Sequence, residues 1–315
     1  MKISYATHKH REGSMTWARD VWPPYPRPQR SQLPIIRWPN GARVAFWVAP
    51  NIEFYEINPP PNPVRPPWPR PLPDVLNASW RDYGNRVGVW RCLELFDQYK
   101  ITGSVSLNSA MCAHLPEVVG AFRDRGWELF SHGIYNTRYL YGLSPEDEIA
   151  TLCESCAEIE AFCGQKVRGF LAPALTYNET TFDSLAKIGL RYTLDLFHED
   201  VPLPLNSEFR GMVSVPYQVE LNDFHALVAS GMAADLYLRR FKDQFDRLYE
   251  EGAKSGTVVG LPLHPYVIGQ PQYVWVLEKI LAHVRQHEDV WITTAAEIAD
   301  HYVSHVLERT PDGDK

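Results

Sequence analysis

The chain has 315 residues, which suits one large α/β domain or two average ones. Hydrophobic residues make up 45% and charged residues 22%, and a formal charge of −7 argues against a nucleic-acid-binding surface. No apolar run is long enough to span a bilayer and the N-terminus lacks an apolar signal core, so the expectation is a cytoplasmic protein with neither membrane nor nucleic-acid partner. Five cysteines, an odd number, do not suggest a disulfide framework. Cys153, Cys156 and Cys163 fall in one predicted helix and read as core packing.

Residues 1–34 show no sustained periodicity and contain Trp22-Pro-Pro-Tyr-Pro-Arg-Pro. They read as an extended arm that packs on a neighbouring subunit or wanders. The domain proper is expected over 35–308, with a tail at 309–315. Ala42 to Ala49 is an apolar, β-forming run, taken as a strand buried on both faces, ending at Asn51-x-Glu53. Nine prolines between 59 and 73 predict a stiff loop over the site or an interface. A helix is expected from Gly84 to Tyr99, burying Val87, Trp90, Leu93, Leu95 and Phe96.

Strands follow at Gly103–Leu107, ending at Asn108, and at Trp127–Phe130, ending at His132. Ser144-Pro-Glu-Asp opens the next helix with a capping serine and an N1 proline. Further strands are read at Val167–Leu171, at Arg191–Leu194 before Asp195, and at Met212–Pro216 before Glu220-Leu-Asn222-Asp223. Helices are read near 180–187, 234–251, 273–287 and 295–307. The last strands are Thr257–Leu263, ending at His264, and Val290–Ile292.

Strands alternating with helices argue for a parallel sheet with helical crossovers, and seven or eight such units point to a (β/α) barrel over a doubly wound sheet. Asn51, Glu53, Asn108, His132, Asp195 and His264 all fall at or just after strand C-termini, the functional face of such barrels. Glu53 can activate a water as base, His264 can protonate a leaving nitrogen, and His132 can hold a metal or orient a substrate. Trp90, Tyr135, Tyr139 and Tyr266 are candidates to line a pocket for a small planar molecule. No Gly-x-Ser-x-Gly elbow or phosphate-binding glycine loop is present. His283/His287 and His301/His305 are i, i+4 pairs on outer helices, neither with an obvious third ligand, and are assigned no metal.

Asn51-x-Glu53, Ser131-His132-Gly133-x-x-Asn136, Arg168-Gly-Phe-Leu-Ala-Pro173, Asp195 and Leu263-His264-Pro265 together resemble the NodB-like polysaccharide deacetylase superfamily. Within it, Arg81-Asp-Tyr-Gly-Asn85-Arg-Val-Gly-Val-Trp90 and His264-Pro-Tyr-Val-Ile-Gly-Gln270 look like the branch of the allantoinase PuuE and cyclic-imide hydrolases. The resemblance implies a distorted (β/α)7-type barrel, hydrolysis of a non-peptide C–N bond, and a homo-oligomer. By the same resemblance Arg168 would orient catalytic groups through an ion pair, with Asp195 as its partner or that of His264.

Metal-dependent members typically carry an aspartate base and an aspartate ligand after the first strand, and His-x-x-x-His after the third. Asn51 then stands at the base, Glu53 at the ligand, His132 at the first histidine, and Asn136 replaces the second. One reading keeps a divalent metal such as zinc on Glu53 and His132. The favoured reading has no cofactor: Asn51, Asn136, Tyr135, Trp90 and Asn108 bind a small cyclic amide, imide or ureide while Glu53 and His264 do the proton work. Metal-dependent deacetylation of an N-acetylated sugar and a non-catalytic metabolite-binding barrel are the alternatives.

Overall fold

The computed structural model describes residues 23–61, 71–209 and 211–307. The start of the expected arm (1–22), the middle of the proline-rich loop (62–70) and the tail lie outside them. In chain order the elements are β1 (Val44–Ile52), α1 (Val75–Tyr83), a wide helical turn over Gly84–Gly88, α2 (Val89–Gln98), β2 (Ser104–Leu107), α3 (Ala110–His114) and α4 (Pro116–Arg123). Then come β3 (Glu128–Ser131), α5 (Pro145–Cys163), β4 (Gly169–Phe170), α6 (Thr181–Lys187), β5 (Tyr192–Thr193), β6 (Leu203–Pro204) and β7 (Val213–Ser214). The chain continues through α7 (Ala234–Gly252), β8 (Thr257–Leu263), α8 (Pro265–Ile268), α9 (Val274–Arg285), β9 (Val290–Ile292) and α10 (Ala295–Tyr302).

The strands form one curled sheet in the order β6-β7-β5-β4-β3-β2-β1-β8, with β9 also on β1. Every pairing is parallel except β6 with β7. β1 is buried along its whole length, as its unbroken apolar run predicts. Val44, Phe46 and Val48 pack outward into the helices, while Ala45, Trp47 and Ala49 pack inward with Phe130, Tyr192 and Val258. The expected distorted α/β barrel is therefore what the chain forms. The space between β7 and β8 is bridged by a side chain: Gln218 donates to the Val258 carbonyl and accepts from the Gly260 N–H.

Three details differ from the sequence reading. The helix expected at Gly84 starts at Val75, and the Val89 N–H bonds back to the Gly84 carbonyl, five residues away. That wide turn shifts the helix phase. Val89, Cys92, Leu93 and Phe96 are buried, whereas Val87 and Trp90 face outward. Cys153 is exposed, because the inner face of α5 runs through Leu152, Ser155, Ile159 and Cys163. The arm's described end packs on its own chain, with Tyr25 stacked on His198 at 3.7 Å and the Pro24 carbonyl accepting from Asn206 N–H.

Candidate active site

Register builds the site. Ile52 pairs with Leu107, Leu107 with Ser131, and Ser131 with Phe170. One row further, at the C-terminal edge, stand Glu53, Asn108, His132 and Leu171. On the other side of β1, Pro50 pairs with Leu263, which brings Asn51 level with His264. Glu53, His132 and His264 so converge at the mouth of a cavity of about 130 Å³, also lined by Tyr55, Arg81, Asn136 and Tyr217.

Glu53 Oε1 lies 3.5 Å from His132 Nε2 and 3.7 Å from His264 Nε2. Its Oε2 is buried with no hydrogen-bond partner. His132 is oriented by its Nδ1, 2.8 Å from the Leu171 carbonyl. Gly133, with φ of 71°, lets the chain turn beneath Pro173, whose Cγ would lie 2.8 Å from any added Cβ. The loop it meets is itself constrained, since Ala174 and Leu175, both lining the cavity, hold φ of 52° and 54°.

His264 is held by Asp223. Its Nδ1 is 2.7 Å from Asp223 Oδ1, and the same carboxylate accepts from the backbone N–H of His264 and Ile268. The segment also depends on glycines. A Cβ on Gly88 would sit 2.0 Å from the Pro265 carbonyl oxygen, so only glycine lets the wide turn pack on the backbone after His264.

These contacts set the charges. Burial opposes ionisation of Glu53, but the His132 hydrogen bond and the charges of His264, His132 and Arg81 hold its carboxyl below the usual range. Burial would lower His264, but Asp223 and then Glu53 outweigh it and raise the imidazole above its ordinary value. The favoured state is an ionised glutamate beside a protonated histidine, the pairing that general base and general acid require.

The remaining expected site residues separate. Asn51 lines the cavity, yet its amide nitrogen donates to the Leu263 carbonyl and Tyr217 Oη. Asn136 lines it too, donating to Tyr55 Oη and leaving its own Oδ1 buried and unpartnered. Asn108 is a brace, accepting from Phe54 N–H and donating to the His132 carbonyl. Tyr135 packs against Phe54 and His114 away from the cavity lining, and Trp90 lies on the outer face of α2.

Asp195 accepts from Ala172 N–H, Thr193 Oγ1 and Tyr177 Oη, holding the loop after β4. Burial pushes its carboxyl up to about 6. It pairs with neither Arg168 nor His264. Arg168 bonds Asp300 on α10 instead, because it precedes β4 and so belongs to the opposite end of the barrel.

Two site residues carried no role in the sequence reading. Asp223 stands three residues after Glu220 beyond β7, and an acid just past a strand end was the available signal. Arg81 was visible only within a motif. It reaches the site through a relay in which Asp74 caps α1, Asn77 bonds Asp74, and Arg81 Nη1 donates to Asn77 Oδ1. Its guanidinium lies over the Tyr55, Trp80 and Tyr266 rings at 4.6–5.1 Å.

The fit to a divalent metal is partial. Glu53, His132 and the free Asn136 Oδ1 would be its ligands, supplying one carboxylate, one imidazole and one weak amide oxygen. A catalytic zinc takes three protein ligands drawn from imidazole, carboxylate and thiolate. The set falls one donor short of that.

Residues 80–193 match the family model described as polysaccharide deacetylase. A Schizosaccharomyces pombe protein named "Putative polysaccharide deacetylase" is 28% identical, over 83% of this chain and 91% of the relative. The "Peptidoglycan deacetylase" of Helicobacter pylori is 25% identical, over 73% of this chain and 87% of its own. A crystal structure of PuuE allantoinase superposes with a TM-score of 0.77 at 24% identity, covering 90% of this chain and 98% of that one. That last likeness is one of fold, and with it the NodB-like half-barrel is the architecture of this chain. No described helix is long and apolar enough to cross a membrane.

Proposed function

We propose that the protein is a hydrolase of non-peptide C–N bonds that opens a small cyclic amide, imide or ureide. The observation that carries this is Glu53, whose Oε1 lies 3.7 Å from His264 Nε2 while its Oε2 is buried and unpartnered, on the lining of a cavity of about 130 Å³. That volume is close to the ~150 Å³ that holds one benzene ring. A single small ring fits it better than a sugar polymer. The buried acceptors Glu53 Oε2 and Asn136 Oδ1 suit the N–H groups of such a ring.

Glu53 takes a proton from water as the oxygen attacks the ring carbonyl. Arg81 offers positive charge to the developing oxyanion. The C–N bond then breaks, and His264 Nε2 protonates the departing nitrogen. Glu53 and His264, 3.7 Å apart, return the proton between them and reset the site. Asp223 keeps His264 charged and aimed, and acts as a positioning residue. A divalent ion held by Glu53 and His132 would supply Lewis-acid polarisation of the carbonyl; no step above depends on it.

The family match and the names of the sequence relatives support a second reading, hydrolysis of an N-acetyl amide on a sugar. A panel of cyclic imides, hydantoins and N-acetyl sugars, assayed before and after chelation, separates the two. Ring opening that survives chelation and disappears in Glu53→Gln is expected. Turnover confined to N-acetyl sugars and abolished by chelation would replace this reading with the second.

A further inference from the structure

The histidine pair set aside for want of a third ligand has one. Among the described residues, Asp246, His283 and His287 are the one group of three such side chains whose ligand atoms all lie within 4.8 Å of one another. Asp246 comes from α7, His283 from the last turn of α9, and His287 from just beyond it. The cluster lies between two outer helices and shares no residue with the cavity.

We propose that Asp246, His283 and His287 form a divalent transition-metal site, of the kind that takes zinc, clamping α7 to α9. His287 Nδ1 lies 3.0 Å from the His283 carbonyl, which can only accept, so Nδ1 carries the proton and Nε2 presents its lone pair. His287 Nε2 lies 3.8 Å from Asp246 Oδ1, and His283 Nε2 lies 2.6 Å from the same oxygen. A tetrahedron with metal bonds of about 2.0–2.1 Å has edges of roughly 3.3 Å, which these two distances bracket.

The rings are already fixed in place. Phe245 meets both imidazoles edge-on at 5.6 and 5.0 Å, and Tyr249 meets His287 at 4.7 Å. Little ordering cost remains for binding. The Asp246 side chain is 49% exposed, so an ion can enter and a water can fill a fourth position. Two imidazoles and one carboxylate suit zinc better than magnesium or calcium, which prefer all-oxygen shells. A metal would take the place of the hydrogen bond between His283 Nε2 and Asp246 Oδ1.

The test uses the full chain, stripped by chelator and dialysed against micromolar zinc chloride, with metal counted by mass spectrometry and melting followed in parallel. His287→Gln and Asp246→Asn, at partly exposed positions, are compared with wild type and with the cavity variant Glu53→Gln. The expected result is one zinc per chain that raises the melting temperature, persists in Glu53→Gln, and weakens roughly tenfold or more in both cluster variants. Zinc-free wild type overturns the proposal. So does a zinc that both cluster variants keep, or one that only Glu53→Gln loses.

Discussion

Two buried glutamates sit in this barrel in opposite conditions. Glu148, on α5, is saturated: Asn178 and Thr181 donate to one oxygen, Thr180 and Ser184 to the other. Glu53, on the cavity rim, has one oxygen shared between two imidazoles and one with no partner. Burial is common to both, so burial does not mark a reactive carboxylate. Unspent acceptor capacity is what separates the two, and it is the ground on which Glu53 is proposed as the reactive one.

Exchanging the two roles gives the largest expected effect. Glu53→Gln should cut turnover by about 10²–10⁴-fold with little change in melting. Glu148→Gln should do the reverse, losing about 1–3 kcal/mol of stability while each folded molecule turns over normally. Steady-state kinetics beside thermal melts read both, and full activity in Glu53→Gln would end the comparison.

A step down, Gly88→Ala pushes a methyl at the Pro265 carbonyl and displaces His264 without touching any charge. A shift near 1 Å should cost about 10²-fold in kcat. An unchanged kcat would mean that the segment after His264 gives way freely.

The pH profile sharpens the pairing further. The proposed mechanism needs Glu53 ionised and His264 protonated. The acid limb should therefore fall below 4.5, Glu53's ordinary value, and the alkaline limb above 6.5, that of His264. Asp223→Asn should move the alkaline limb downward and leave the acid limb in place. The raised His264 also contributes stability that is full below its unfolded value and lost as pH rises through its folded value. Melting measured across that window should flatten in the same variant.

The smallest effect belongs to Arg168. Its bridge to Asp300 is partly exposed and far from the cavity, so Arg168→Ala should leave kcat/KM unchanged and cost about 0–1 kcal/mol.

Much of the architecture was legible, because each long strand and helix carries its own period. β8 is an unbroken apolar run bounded by Gly256-Thr257 and His264, and α5 opens with Ser144-Pro-Glu and closes at Gly164. The strand read at Met212–Pro216 is β7, but the two-residue β6 has too little sequence to carry any period, and its antiparallel pairing with β7 is set by the loops around them. Glu53, His132 and His264 were readable as polar residues ending apolar runs. The Asp223 link to His264 was not, since it joins residues 41 apart across the sheet's open side. Arg168 misled for a related reason, as motif membership says nothing about which end of a strand a residue occupies.

Gln218 gives that open side a mechanical meaning. The backbone ladder runs unbroken from β8 through β1 to β7, so the sheet is shaped like a letter C, and the Gln218 amide is one of the staples across its opening. Glu53 and His264 ride on one tip, while Asp223 rides on the other. Any breathing of the staple stretches the Asp223–His264 link before it disturbs the spacing of Glu53 and His264. Heat or denaturant, applied gently, should thus discharge the acid while the base still stands in position.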